Sequence, residues 1–287
     1  MTNKRGVLAA QAVRLRSVFS PLQLFALFAP KDSARVVTKD ARYADGPRHG
    51  LDAYAPLKAD GPAPVAIFFY GGSWETGRRQ EYGWVARALA AQGFLTVVPD
   101  YRVYPDVVFP DFLDDCAKAV RWAVDHAAEL GGDPGRIVLV GHSAGAYNAA
   151  MLALDSRWLR SAGVEPGVIR AIAGLSGPYS FLPLESPITR RTFGAETDLE
   201  ATQPVRYARA DAPAAFLATG AADTLVRPRQ TRRLTAALRD AGVTVEEHHY
   251  DGMGHAGPVL AFARPFRRKS TLFADMVRFL KSAVDHT

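Results

Sequence analysis

The stretch Arg136-Ile-Val-Leu-Val-Gly-His-Ser-Ala-Gly-Ala146 decides the fold. Ile137 to Val140 form an unbroken apolar run, as in a strand buried on both faces. Ser143 then sits between Gly141 and Gly145, and a small-residue helix follows through Ala144, Ala146, Ala149, Ala150, Leu152 and Ala153. The pattern Gly-x-Ser-x-Gly recurs by chance in roughly one chain in ten of this length, so its context carries the weight. A serine hydroxyl is presented for chemistry on a strained strand-to-helix turn, where glycines let neighbouring backbone come close. The helix start below it offers free N–H groups and a positive dipole end to developing charge.

Outward from this turn, short apolar runs alternate with helical patterns. Strands are predicted at Val36–Tyr43, Leu51–Tyr54, Val65–Tyr70, Phe94–Val98, Ala171–Leu175, Ala214–Thr219 and Val243–Tyr250, besides the run before Ser143. Helices are predicted at Tyr82–Ala91, Phe112–Ala128, Arg229–Asp240 and Leu272–Leu280. The expectation is an α/β fold: a mostly parallel, eight-stranded twisted sheet with helices on both faces. A single domain spans 34–287, preceded by a helical segment over 1–33 that caps a pocket or packs on the domain. Between Ser176 and Pro213 the pattern weakens, punctuated by Pro178, Pro183, Pro187 and Pro204. This loop-rich excursion is expected over the C-terminal edge of the sheet, where open α/β sheets bind ligands.

A serine hydroxyl is a poor nucleophile until a histidine takes its proton and a carboxylate orients that histidine. In this architecture the acid and the histidine follow the serine in that order. Asp223 follows the Ala214–Thr219 strand through Gly220-Ala-Ala222, and His255 follows the last strand in Asp251-Gly-Met-Gly-His255. His248 and His249 lie inside a strand and point to opposite faces. His142 is part of the turn itself and cannot reach back as a base. Asp211 precedes its strand, and Asp251 reads as a turn residue. A metal site from His248, His249, Asp251 and His255 is disfavoured by that facing, and no His-Glu-x-x-His helix exists. Donors for a tetrahedral oxyanion are expected from the backbone of Tyr70-Gly-Gly-Ser-Trp74, at Gly72 and Ser73, and from Ala144.

Composition narrows the rest. With 48% apolar and 22% charged residues, the chain suits a soluble enzyme. The net charge of +6 comes from scattered residues, with no basic block interleaved with aromatics, so nucleic acid is not an expected partner. Cys116 is the single cysteine and lies on the apolar stripe of a helix, which predicts a packed core thiol and no internal disulfide. The N-terminal apolar run is short and interrupted by Arg14 and Arg16, unlike a signal peptide, and no window spans a membrane. Leu22, Phe25, Leu27 and Phe28 are available for weak membrane-surface contact or for covering a pocket. A cytoplasmic location is expected, with no cofactor and no metal.

These motifs, taken in order, resemble the α/β-hydrolase superfamily. They are most similar to carboxylesterases related to hormone-sensitive lipase, to feruloyl esterases and to kynurenine formamidase. The resemblance covers about 42–281 and rests on Leu51-Asp-Ala-Tyr54, Tyr70-Gly-Gly-Ser-Trp74, Pro99-Asp-Tyr-Arg-Val-Tyr-Pro105, Asp133-Pro-Gly-Arg-Ile137, Gly141-His-Ser-Ala-Gly145, the Asp223 loop and Gly254-His255. It implies a serine hydrolase of small carboxylic esters, with Ser143 as nucleophile, Asp223 as acid, His255 as base, and Gly72, Ser73 and Ala144 as oxyanion donors. An amidase acting on an N-formyl group, or an inactive binding protein on the same fold, are the alternatives. Tyr70 stands where the family usually has histidine, and Ser73 where it has a third glycine. The resemblance also implies an ion pair between Asp100 and Arg102 that fixes the loop after the fourth strand.

Overall fold

The apolar run before Ser143 belongs to β5 (Gly132–His142), which lies between β3 (Ala63–Phe69) and β6 (Ile169–Leu175) and runs parallel to both. Ile137, Val138, Leu139 and Val140 are all fully buried, so both faces of this strand are covered. The computed structural model describes residues 25, 26 and 28–285. The remaining strands are β1 (Arg35–Arg42), β2 (Gly50–Ala55), β4 (Leu95–Pro99), β7 (Ala214–Gly220) and β8 (Val245–Tyr250). They form one eight-stranded sheet in the order β1-β2-β4-β3-β5-β6-β7-β8. Only the pairs of β2 with β1 and with β4 are antiparallel; every other pair is parallel. β5 starts earlier than its apolar run predicts, because Gly132 pairs with Ala63 before a register shift.

The helices are α1 (Gly83–Ala90), α2 (Asp111–His126), α3 (Ala144–Leu154), α4 (Arg157–Ser161), α5 (Pro187–Phe193), α6 (Arg229–Asp240), α7 (Gly257–Leu260), α8 (Arg264–Arg267) and α9 (Leu272–Asp285). The edge strand β8 makes the two-sided layering explicit. Glu246 pairs with Arg278 and Tyr250 donates to Asp275, both on α9. Glu247 pairs instead with Arg239 on α6, so alternate residues of one strand face different helices. His248 and His249 therefore diverge, each beside the glutamate two residues before it. They cannot meet His255 around one ion. Cys116 lies wholly buried in α2, where desolvation pushes its thiol well up.

The excursion 176–213 carries α5, which the proline punctuation hides. Its start is nonetheless written locally: Ser186 accepts from the N–H of Thr189, and Pro187 occupies the first turn. Phe193 ends α5 wholly buried and inserts edge-on to Trp74 and Phe112. At the other end of the chain, Phe25 packs against Trp84 and Phe266, while Phe28 is exposed. Leu22 and Leu27 lie outside the described residues. Among the described residues, no helix is long and apolar enough to cross a membrane.

Gly145 is where the layers touch most closely, since a Cβ there would lie 2.0 Å from the carbonyl oxygen of Phe69. Gly145→Ala is expected to cost about 2 kcal/mol or more, because strand β3 and helix α3 must separate to admit the methyl group. Gly61→Ala, with nothing within 4 Å of the added atom, serves as control and should stay within about 0.5 kcal/mol. Urea unfolding of both variants checks this; equal midpoints would refute the packing argument.

Candidate active site

Four loops meet at the C-terminal ends of β3, β5, β7 and β8. The turn after β5 holds Ser143 at φ 56° and ψ −122°, a region L-residues rarely adopt. The surroundings enforce it. The Ser143 N–H donates to Leu175 O at 2.8 Å, and Ser143 O accepts from Ala146 N–H at 3.0 Å. Gly141 and Gly145 admit no side chain, because a Cβ on Gly141 would sit 2.2 Å from Gly145 O.

The loops after β7 and β8 are bound to one another. Ala221 N–H donates to Tyr250 O at 2.9 Å and Ala222 N–H to Met253 O at 3.0 Å. A Cβ on Gly220 would lie 2.2 Å from Met253 O, so this contact requires glycine. The docking brings Asp223 and His255 together. His255 Nδ1–H donates to Asp223 Oδ2 at 2.8 Å, leaving Nε2 to accept from Ser143 Oγ–H at 2.9 Å. Asp223 Oδ1 accepts from the N–H groups of Leu225 and Val226 at 3.0 and 2.9 Å. The carboxylate is thus held on both oxygens and is almost fully buried.

The loop after β3 folds over the serine. Gly72, Ser73 and Trp74 all have positive φ, at 137°, 57° and 56°. Gly72 O accepts from the N–H groups of Glu75 and Thr76, both at 3.0 Å, which closes the turn. The Trp74 indole donates to Asn148 Oδ1 of α3 at 3.1 Å, so the loop is pinned to the helix that carries the serine. Ser73, Trp74, Ser143 and Ala144 line a cavity of about 310 Å³ whose other wall comes from the excursion, through Phe181 and Ile188. Neither Phe25 nor Phe28 lines it. Among the described residues, the N–H groups of Ser73 and Ala144 have no hydrogen-bond partner in the protein.

Residues 51–238, well over half of the chain, match the family model described as BD-FAE. The chain belongs to the BD-FAE family. Among curated proteins, this BD-FAE chain is 32% identical over 251 residues to Esterase LipQ of Mycobacterium tuberculosis (strain ATCC 25618 / H37Rv), covering 79% of this chain and 59% of that protein. It is 29% identical over 241 residues to the probable isoprenylcysteine alpha-carbonyl methylesterase ICMEL1 of Oryza sativa subsp. japonica, covering 76% and 57%. The chain therefore spans less than two thirds of the length of these relatives. Among solved structures, Esterase B from Lactobacillus rhamnosis, in complex with a tributyrin phosphonate inhibitor, superposes with a TM-score of 0.82 at 19% identity. That match covers 99% of this chain and 97% of that one. The fold is that of the α/β-hydrolases.

Within this BD-FAE chain, two supporting arrangements escape a reading by motif. The first corrects the expected Asp100–Arg102 pair. Asp100 instead accepts from Tyr70 Oη–H at 2.8 Å and from the Arg79 N–H at 2.7 Å, and it pairs with the Arg79 guanidinium. Arg79 also reaches Asp52 at 3.2 Å and Asp40. Arg102 turns to the fully buried Asp115 of α2, with Nε and Nη2 both at 2.8 Å. The reason is burial: Asp100 and Asp115 lie in different places inside the protein, and each needs its own cation there. The ring of Tyr70 is stacked on Tyr82 and Tyr101. Desolvation pushes its phenol pKa well up, so the hydroxyl stays neutral and donates.

The second arrangement is His142. It does not approach Ser143 Oγ as a base. Its Nε2–H donates to the carbonyl of His255 at 2.9 Å and so fixes the loop that carries the imidazole. Burial, reinforced by the neighbouring His255, lowers its pKa from 6.5 to about 4. The folded protein therefore keeps His142 neutral where the unfolded chain would protonate it. Stability from this site is complete above about pH 6.5 and is lost as the pH falls towards 4. Between pH 7 and pH 5 the wild type should lose about 2 kcal/mol more than His142→Asn, by urea unfolding at each pH. Parallel losses in both proteins would show that His142 does not carry the acid sensitivity.

Proposed function

We propose that this chain is a serine carboxylesterase that cleaves small carboxylic esters through an acyl-enzyme. One observation carries the reading: Ser143, His255 and Asp223 form a continuous hydrogen-bonded relay that opens into a cavity with unpaired backbone amides beside the serine. Membership of the BD-FAE family and the names of the curated relatives support the same chemistry.

In this mechanism Ser143 Oγ attacks the ester carbonyl carbon while its proton passes to His255 Nε2. Asp223 holds the Nδ1–H tautomer and stabilises the imidazolium. The carbonyl oxygen becomes an oxyanion and accepts from the N–H groups of Ser73, Ala144 and Gly72. Each donor is worth roughly 3 kcal/mol in the transition state. The N-terminus of α3 adds its dipole to the same point. Collapse breaks the carbon–oxygen bond to the alcohol, which leaves with the proton from His255. Water then attacks the acyl-enzyme with His255 again as base, releasing the acid and restoring Ser143.

Ser143→Ala should lower kcat by about 10⁴-fold or more while the protein remains folded, and Asp223→Asn by about 10³- to 10⁴-fold through the wrong tautomer of His255. A Ser143→Ala enzyme that retains a tenth of the activity would remove Ser143 from the mechanism. A near-normal Asp223→Asn enzyme alongside an inactive Asp251→Asn would move the acid.

The cavity of about 310 Å³ also bounds the substrate. It is covered by one short excursion, so a long chain leaves apolar surface in water and gains little of the ~0.8 kcal/mol per buried methylene. The maximum of kcat/KM over p-nitrophenyl esters should fall between about C2 and C6, with little hydrolysis of emulsified triglyceride. A maximum at C12 or beyond would refute this reading of the cavity.

A further inference from the structure

Two of the residues that line the cavity with Ser143 are cationic, Arg227 and Arg229, and both are exposed. Neither guanidinium has an ion-pair or hydrogen-bond partner among the described residues. Some surface arginines have partners, as Arg157 has Asp155, Arg206 has Asp198 and Arg278 has Glu246, while others, such as Arg232 and Arg268, have none among the described residues. Lack of a partner alone does not make a site; the position of these two does. They share one cavity with the nucleophile and the free amides, and their backbone is rigidly set. The turn leading to them is closed by Asp223, which accepts from Leu225 and Val226 N–H. The first turn of α6, which begins at Arg229, is anchored by the buried Gln230, whose Oε1 accepts from Tyr179 N–H at 3.0 Å and Ser180 N–H at 2.6 Å.

The start of α6 points to the same ligand chemistry. Arg229 is its first residue, Pro228 precedes it without a side-chain cap, and no acidic residue lies in its first turn. Its positive dipole end therefore has no neutralising carboxylate of its own. Glu185 is the one acidic side chain among the lining residues described. Apolar walls from Trp74, Phe181 and Ile188 focus the resulting field into the cavity.

We propose that Arg227 and Arg229 select esters that carry a carboxylate a few bonds from the scissile carbonyl. The inference rests on the serine-esterase reading above and names a substrate class for that site. A carboxylate between the two guanidinium groups replaces the missing counter-ion and orients the ester towards Ser143. The carboxylate belongs either to the acyl part or to the alcohol part, and the test separates them.

The full-length protein is assayed with two isosteric pairs. The acyl pair is mono-p-nitrophenyl glutarate against p-nitrophenyl 5-methylhexanoate; the alcohol pair is carboxymethyl butyrate against isobutyl butyrate. In at least one pair, wild-type kcat/KM should favour the anionic ester by about tenfold or more at low salt, and less at high salt. In Arg227→Ala/Arg229→Ala that preference should fall at least tenfold, and Arg227→Lys/Arg229→Lys should restore part of it. Glu185→Gln should raise it. An anionic-to-neutral ratio at or below one in both pairs overturns the proposal, as does a ratio that the double alanine variant leaves unchanged. If no ester of either kind is hydrolysed, the esterase reading fails. Calorimetric binding of monoethyl glutarate to Ser143→Ala, with and without the two arginines, then still decides the anion site: equal affinities overturn it.

Discussion

The site depends on how closely the end of β3 approaches the turn after β5. A Cβ on Gly145 would collide with Phe69 O and, at 2.5 Å, with Tyr70 O; one on Gly71 would lie 3.0 Å from Cβ of Ser143. Two loops from adjacent strands therefore share a space with no room for side chains. That closeness brings Ser73 and Ala144 into the cavity that Ser143 also lines. Ser143 is held at φ 56° from both sides: parallel pairing of β5 with β3 and β6 fixes the end that enters the turn, and the Ala146 N–H bond to Ser143 O fixes the end that leaves it.

The loop after β3 is held at its far end by buried charge. Arg79 gathers Asp52, Asp100 and the more exposed Asp40, and Tyr70 donates into the same cluster through Asp100. Arg48 ties the loop again, donating to Gly77 O at 2.8 Å and to the Tyr70 hydroxyl at 3.3 Å. Such a cluster adds little net stability, because desolvation of each ion offsets most of the attraction. Its contribution is geometric: the bonds point in fixed directions, so the loop has one shape. Tyr70 takes part through a neutral, stacked phenol.

Histidine 142 plays a comparable part on the opposite side. His142, next to Ser143, reaches across to the backbone carbonyl of His255. The His255 imidazole is thus constrained three ways, through Asp223, through Ser143 and through its own carbonyl. The excursion contributes no member of this relay. It is anchored instead by Phe193 among Trp74, Phe112 and Tyr147, which sets the roof height over the serine.

Much of this was legible along the chain, for identifiable reasons. Strand and helix identity followed from local periodicity, and α6 is found over the predicted residues Arg229–Asp240. The positions of Ser143, Asp223 and His255 at strand ends were readable because each chemistry-bearing residue follows its strand through small residues. What was not legible involves partners distant in sequence. Asp100 chose Arg79, and Arg102 chose Asp115, because burial decides which cation a carboxylate meets. The helices α5, α7 and α8 are four to seven residues long, too short for a periodic signal, and are set by packing and prolines. The sequence by itself determined the order of strands and helices and which residues could do chemistry, since both are local properties of residue type and spacing. Only the tertiary structure decided which loops touch, which charges pair and how large the cavity is, since these depend on free energies of burial shared between segments far apart in the chain.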